Sequence, residues 1–262
     1  MNKPDYYNNY YDEFHAKKRE LTKIEEKRIN STMDIIPNDV ESVLDVGCGD
    51  GRIVNRLQGK YEKICGLDIS NNALKNVKTS KVQGSIEKLP FSDNSFDLLI
   101  CAEVLEHLPY PIYKKAIKEV ERVSKKYILI SVPNKENLDV RMIKCPKCGC
   151  LSNEWRHLRS FDANTLHTLF NDFEIQKTKN QLAEEFIFSN SLLKLGKCFN
   201  IYRKFPETSR CPQCGYSPES KKERKHITLK TKVINSFKKK LPLTKSGGWI
   251  MVLYQCSDDL KK

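Results

Sequence analysis

Short apolar runs alternate with longer amphipathic stretches along the first two thirds of the chain. The runs at 42–47 (SVLDVG), 63–69 (KICGLDI), 81–85 (KVQGS), 96–103 (FDLLICAE) and 127–133 (YILISVP) are too brief for helices and are rich in β-branched residues, so each predicts a strand. Segments near 52–58, 71–77 and 111–124 carry the helical period between them. Strand following helix following strand implies right-handed crossovers and a parallel sheet, hence an α/β fold. Ahead of these elements, residues 12–36 predict a charged amphipathic helix, with Leu21, Ile24, Ile29 and Met33 near helical spacing. Beyond them, FDANTLHTLFND predicts a helix capped by Asp162, and 173–180 and 247–256 predict two last strands. Some 66 residues separate those two strands, far more than an ordinary connection, and we read them as an inserted subdomain.

Charge sharpens that boundary. The formal net charge is +13, and between Lys177 and Lys245 there are 17 Lys or Arg against 5 Glu and no Asp. The insertion therefore carries almost the whole excess, which suits an anionic partner: a phosphorylated metabolite, nucleic acid or an anionic membrane surface. A merely solvated face is the plain alternative. Within the insertion, 184–205 predicts an apolar cap helix. Residues 226–241 put Ile227, Val233, Ile234, Phe237 and Leu241 near one helical face, either packed on the cap, laid on a membrane, or turning lysines towards phosphates. No run approaches a membrane span and the N-terminus has no signal-peptide core, so a cytoplasmic protein is expected.

The stretch SVLDVGCGDGRIVNRL runs a strand into three glycines and straight into a helix. Glycine there permits turns that a Cβ forbids and lets a ligand approach the backbone. The Lys-Ser/Thr ending of a triphosphate loop is missing, and Asp68 ends the next strand, where a carboxylate can accept both ribose hydroxyls. GSIEKLPFSDNSFDLLICAEVLEHLP follows at a matching interval. On these motifs the chain resembles the class I S-adenosylmethionine-dependent methyltransferases of the type 11 group, over about residues 40–180 and the final strand. The resemblance implies a doubly wound seven-stranded Rossmann-like sheet of order 3-2-1-4-5-7-6. It implies that Asp45, Gly47, Cys48, Gly49 and Gly51 shape the methionine pocket, that Asp68 holds the ribose and Ile69 flanks the adenine. Ser85 and Ile86 would meet the adenine edge, while Cys101 and Glu103 would lie under the sulfonium. Many relatives have Asp where this chain has Ser85, whose neutral hydroxyl is a weaker acceptor for the adenine amino group.

EVLEHL sets Glu103, Glu106 and His107 at the end of the fourth strand, where open α/β sheets build their sites. Two carboxylates and an imidazole suit an octahedral Mg²⁺ or Mn²⁺, with His157 in EWRHLRSF as a further ligand or, without metal, a general base. A purely structural role for these residues stands beside both readings. A bound cation would acidify a substrate hydroxyl and orient it.

Ten cysteines in a chain without export signals predict metal rather than disulfides. CPKCGC (145–150) and CPQCGY (211–216) are paired C-P-x-C-G knuckles, and Cys145, Cys148, Cys211 and Cys214 make a closed four-thiolate zinc site. Cys150 is the spare. Such a zinc would join the 144–158 loop to the insertion as a lid. The expected partition is an N-terminal helical segment (1–36), a catalytic domain (37–183 plus 247–262) and a basic cap (184–246). The expected activity is O-methylation of an anionic small molecule or lipid-linked metabolite. Methylation of RNA at a 2′-hydroxyl or a base is the alternative, and a non-catalytic zinc-knuckle binding protein is a third.

Overall fold

In a computed structural model, residues 20–182, 186–188, 198, 202–207, 209–218, 243–245 and 248–257 are described. The central sheet has seven strands. β1 (Ser42–Val46), β2 (Lys63–Asp68), β3 (Ser80–Gln83), β4 (Phe96–Ala102) and β5 (Ser124–Pro133) run parallel in the order β3-β2-β1-β4-β5. Next comes β11 (Trp249–Cys256), then β8 (Phe173–Gln181), with β11 antiparallel to both neighbours. The last strand in the chain thus sits inside the sheet, the 3-2-1-4-5-7-6 order expected of a Rossmann-like methyltransferase fold.

Strand alternation sorts side chains onto two apolar faces. Leu44, Val46, Leu99, Cys101, Ile128, Ile130, Val252 and Tyr254 face α4 (Tyr110–Val123) through Ala116, Val120 and Val123, and α5 (Ala163–His167) through Leu166. Their chain neighbours Val43, Leu98, Ile100, Leu129, Met251 and Leu253 face the other way, onto Ile29 of α1 (Lys23–Met33) and Leu57 of α2 (Val54–Leu57). α3 (Asn71–Leu74) completes the crossover from β2 to β3. Asp162 caps α5 as its position predicts, accepting from the Thr165 amide at 2.8 Å in a capping box.

The N-terminal helix departs from its expected span. It begins at Lys23, because Thr22 accepts from the Glu25 amide and Glu25 reaches back to the Thr22 amide, and it ends at Met33 rather than 36. Part of the expected helix precedes the described residues.

The chain divides into two compact units, one of 1–136, 158–183 and 247–262, the other of 137–157 and 184–246. The second contains two antiparallel pairs, β6 (Met142–Lys144) with β7 (Leu151–Asn153) and β9 (Phe186–Phe188) with β10 (Leu243–Lys245). A helix over 184–205 is therefore wrong at 186–188: ladder pairing to β10 outweighs the local apolar pattern there. The predicted helix at 226–241 lies outside the described residues.

Candidate active site and cysteine centre

The first unit gathers its chemistry at the carboxyl ends of β1, β2 and β4. After β1 the chain turns through Gly47 (φ 72°), Gly49 (φ 55°) and Gly51 (φ 83°), a left-handed run that side chains resist. At Gly47 space resists anything larger as well, since a Cβ would collide with the Val104 side chain. The amides of Gly47 and Cys48 both donate to the Leu67 carbonyl, at 2.7 and 3.0 Å, and lock the loop to the end of β2.

Asp68 is buried, and its two oxygens accept from the Gly49 amide at 2.9 Å and the Ser70 amide at 2.8 Å. Burial raises its pKa against the pull of those amides. Each oxygen keeps a lone pair beyond its amide bond, as a carboxylate needs to accept from paired hydroxyls. Asp45 lies deeper. Its Oδ2 has no hydrogen-bond partner among the described residues, and burial, with Asp68 adding to it, raises its pKa to about 7. The thiols of Cys48 and Cys101 are buried and pushed up by desolvation, so they are neutral packing groups. Ile69 is half-buried and its carbonyl accepts from Gln83 Nε2 at 3.1 Å. Ser85 follows β3 beside the buried Ile86.

Glu103 leaves β4 with φ 58°, its amide donating to the Ser131 carbonyl at 2.8 Å. A non-glycine residue held there is strained, and such strain collects at functional sites. Its Oε2 accepts from Trp249 Nε1 at 3.1 Å and pairs with Arg28 Nη1 at 3.2 Å, while Oε1 is buried with no hydrogen-bond partner among the described residues. Glu106, in the 3₁₀ turn Leu105–His107, is fully buried, and neither carboxyl oxygen has a hydrogen-bond partner among the described residues. Desolvation, with Glu103 nearby, holds its pKa well above the ordinary range. His157 is buried in the second unit, its ring 5.7 Å from that of Trp155, and Glu103, Glu106 and His107 belong to the first. Sequence reading missed Arg28 and Trp249. A lysine-rich helix gave no sign that one of its cations points inward.

In the second unit the four predicted sulfurs of Cys145, Cys148, Cys211 and Cys214 lie within 4.8 Å of one another. Cys145 and Cys214 are 3.8 Å apart, Cys148 and Cys211 3.5 Å. A disulfide needs about 2.05 Å, whereas tetrahedral zinc with bonds of about 2.3 Å puts sulfurs roughly 3.8 Å apart. The two knuckles repeat one hydrogen-bond pattern. Gly149 donates to the Cys145 carbonyl at 2.9 Å and Gly215 to that of Cys211 at 3.0 Å. Cys145 donates to the Cys150 carbonyl at 2.9 Å and Cys211 to that of Tyr216 at 2.8 Å. Burial pushes the Cys211 thiol up, yet the amides of Cys214 and Gln213 and the neighbouring thiols bring it down to about 6. A thiolate is what metal requires. These residues fit zinc.

Residues 44–129 match the family described as a methyltransferase domain. An uncharacterized protein of Methanocaldococcus jannaschii is 43% identical over 100 residues, 37% of this chain and 42% of that protein. The ubiquinone biosynthesis O-methyltransferase of Albidiferax ferrireducens is 27% identical over 104 residues, 36% of this chain and 41% of that enzyme. The chain thus spans less than half the length of these curated relatives. Among solved structures, a Thermotoga maritima protein described as a SAM-dependent methyltransferase and possible histamine N-methyltransferase has a TM-score of 0.54 at 14% identity. It covers 95% of this chain and 99% of its own, a likeness of fold. No helix among the described residues is long and apolar enough to cross a membrane.

Proposed function

We propose that the chain transfers the methyl group of S-adenosylmethionine to an oxygen nucleophile on an anionic small molecule or lipid-linked metabolite. The observation that carries this reading is the loop Gly47–Gly51, flanked by Asp45 and Asp68, together with a strained Glu103 at the end of β4. The cofactor, when bound, supplies an electrophilic methyl group. Asp45, Gly47, Cys48, Gly49 and Gly51 line its methionine end. Asp68 accepts from the ribose hydroxyls, Ile69 flanks the adenine, and Ser85 and Ile86 meet its edge. Cys101 and Glu103 lie under the sulfonium, and Glu103 and His107 are the groups for holding the acceptor's proton. Oxygen as the nucleophile is supported by the relatives named O-methyltransferases.

Zinc at Cys145, Cys148, Cys211 and Cys214 would be structural, four thiolates leaving no open position, and would join the 144–158 loop to the 184–246 insertion. Mg²⁺ or Mn²⁺ at Glu103, Glu106 and His107 is favoured by one observation, the buried Glu106 carboxyl with no hydrogen-bond partner among the described residues. RNA as the acceptor is favoured by the positive charge gathered between Lys177 and Lys245.

The test uses S-adenosylmethionine with a labelled methyl group. Wild type and Asp68→Ala protein are incubated with RNA, lipid and small-metabolite pools, with Mg²⁺ or with EDTA. Label in lipid or metabolites supports the leading reading, and label in RNA replaces it. No label above the Asp68→Ala control in any pool overturns the enzyme.

A further inference from the structure

The N-terminal helix sends one cation into the active site. Thr22 sets the helix start, and Ile29 buries against the sheet one position after Arg28. The helix is fastened by contacts away from the site: Glu26 to Arg56 at 2.8 Å, Asp34 to Lys179 at 2.8 Å, and the Ile24 carbonyl to Gln181 at 3.3 Å. With the helix so held, the Arg28 guanidinium lies 5.8 Å from the Trp249 ring centroid and 3.2 Å from Glu103 Oε2. Trp249 closes the triangle by donating to the same oxygen.

All donors fall on one side of the carboxylate. Oε2 accepts from Trp249 and carries the ion pair to Arg28, while Oε1 of Glu103 and Nε of Arg28 are buried with no partner among the described residues. An ion pair kept only for stability would use those valences, because a buried donor or acceptor left unpaired costs about 1–3 kcal/mol. Here one acceptor on Glu103 and one donor on Arg28 stay unspent, the complement that a hydroxyl group offers through its own proton and lone pair.

We propose that Arg28 is a positioning residue: with Trp249 it fixes the Glu103 carboxylate so that Oε1 meets the acceptor hydroxyl. The inference rests on the methyl transfer proposed above. α1 is thereby part of the active site, and Glu103, carried by a strained backbone, is aimed by groups from both ends of the described chain.

The experiment compares wild type, Arg28→Met, Arg28→Lys and Trp249→Phe in label transfer to whichever pool the wild type methylates. Cofactor affinity is measured by calorimetry and melting is followed in parallel. The chain has two tryptophans, so a Trp155→Phe background makes Trp249 emission a report on the triangle. Arg28→Met should lower kcat about 100-fold, the cost of a misplaced group, with cofactor affinity and melting near wild type. Arg28→Lys should recover part of the loss. Emission of Trp249 should change in Arg28→Met. Wild-type turnover in Arg28→Met, or a loss confined to cofactor affinity or melting, overturns the proposal. If the wild type labels no pool, the proposed function fails and emission alone judges the triangle. Unchanged emission then overturns Arg28's hold on Glu103, and altered emission upholds it.

Discussion

The two units solve the problem of holding polar groups in opposite ways. In the first, Asp45, Asp68 and Glu103 hang from the ends of strands whose apolar neighbours fill both faces of a seven-stranded sheet. That site is formed before any ligand arrives. In the second, the buried cluster around the cysteines includes, among the described residues, Ile143, Cys145, Phe205 and Cys211, and two of those four are themselves candidate ligands. A metal held there would close both knuckles and offset the chain entropy of the segments they join. A scaffold that stands alone can leave its valences unspent for a substrate, whereas one that leans on its ligand spends them on folding.

Chelation should expose this contrast most strongly. Structural zinc sites in small peptides are worth roughly 10–16 kcal/mol of apparent binding energy. Stripping the metal, or Cys211→Ser, should therefore abolish amide protection over 142–153 and 211–216 while cofactor titration of the first unit changes little. Retained protection in both segments on hydrogen exchange would break the comparison. Next in size, Asp68→Ala removes two hydrogen-bonded lone-pair positions and should weaken S-adenosylmethionine about 100-fold by calorimetry, near 3 kcal/mol. An unchanged Kd would remove Asp68 from the cofactor site. Gly47→Ala meets both φ 72° and the Val104 methyl. It should lower the melting temperature by the equivalent of about 2 kcal/mol or more.

A pH series sharpens the same contrast. Asp45 has a folded pKa raised to about 7 from 3.8, so the folded protein holds a proton that the unfolded chain has released. Its contribution to stability is intact below pH about 4, falls as pH rises from there to about 7, and is fully lost above. Asp45→Asn should flatten this decline in denaturant titrations and gain on the wild type only at the higher pH. An equal slope in both would assign the loss elsewhere. Smallest, Thr22→Ala deletes the cap of α1 and should cost about 1 kcal/mol in melting experiments.

Sequence alone carried the parts that depend on local pattern. The strand runs and the glycines were legible because their signals are local, and the 3-2-1-4-5-7-6 order came only with the resemblance those motifs carry. The cysteine knuckles were legible because ligand spacing is short-range. Arg28 was not, since Lys27 and Arg28 stand side by side in one charged helix and only contact with Trp249 and Glu103 tells them apart. Phe186–Phe188 misled for a related reason: three apolar residues fit a helix or a strand, and the partner that decides lies at Leu243–Lys245. The hairpin of β6 and β7 also escaped notice, its strands being only three residues each.

The place of β11 sets an order of events during synthesis. It pairs with β5 on one side and β8 on the other, yet it follows both in the chain, after the whole second unit. Until it emerges from the ribosome, two strands wait with open edges, a state prone to pairing with other chains. Trp249 arrives with it and is the residue that donates to Glu103. The proposed methyl transfer would thus wait until translation has delivered β11, and a nascent chain halted within the insertion would present an aggregation hazard with Glu103 lacking its Trp249 donor.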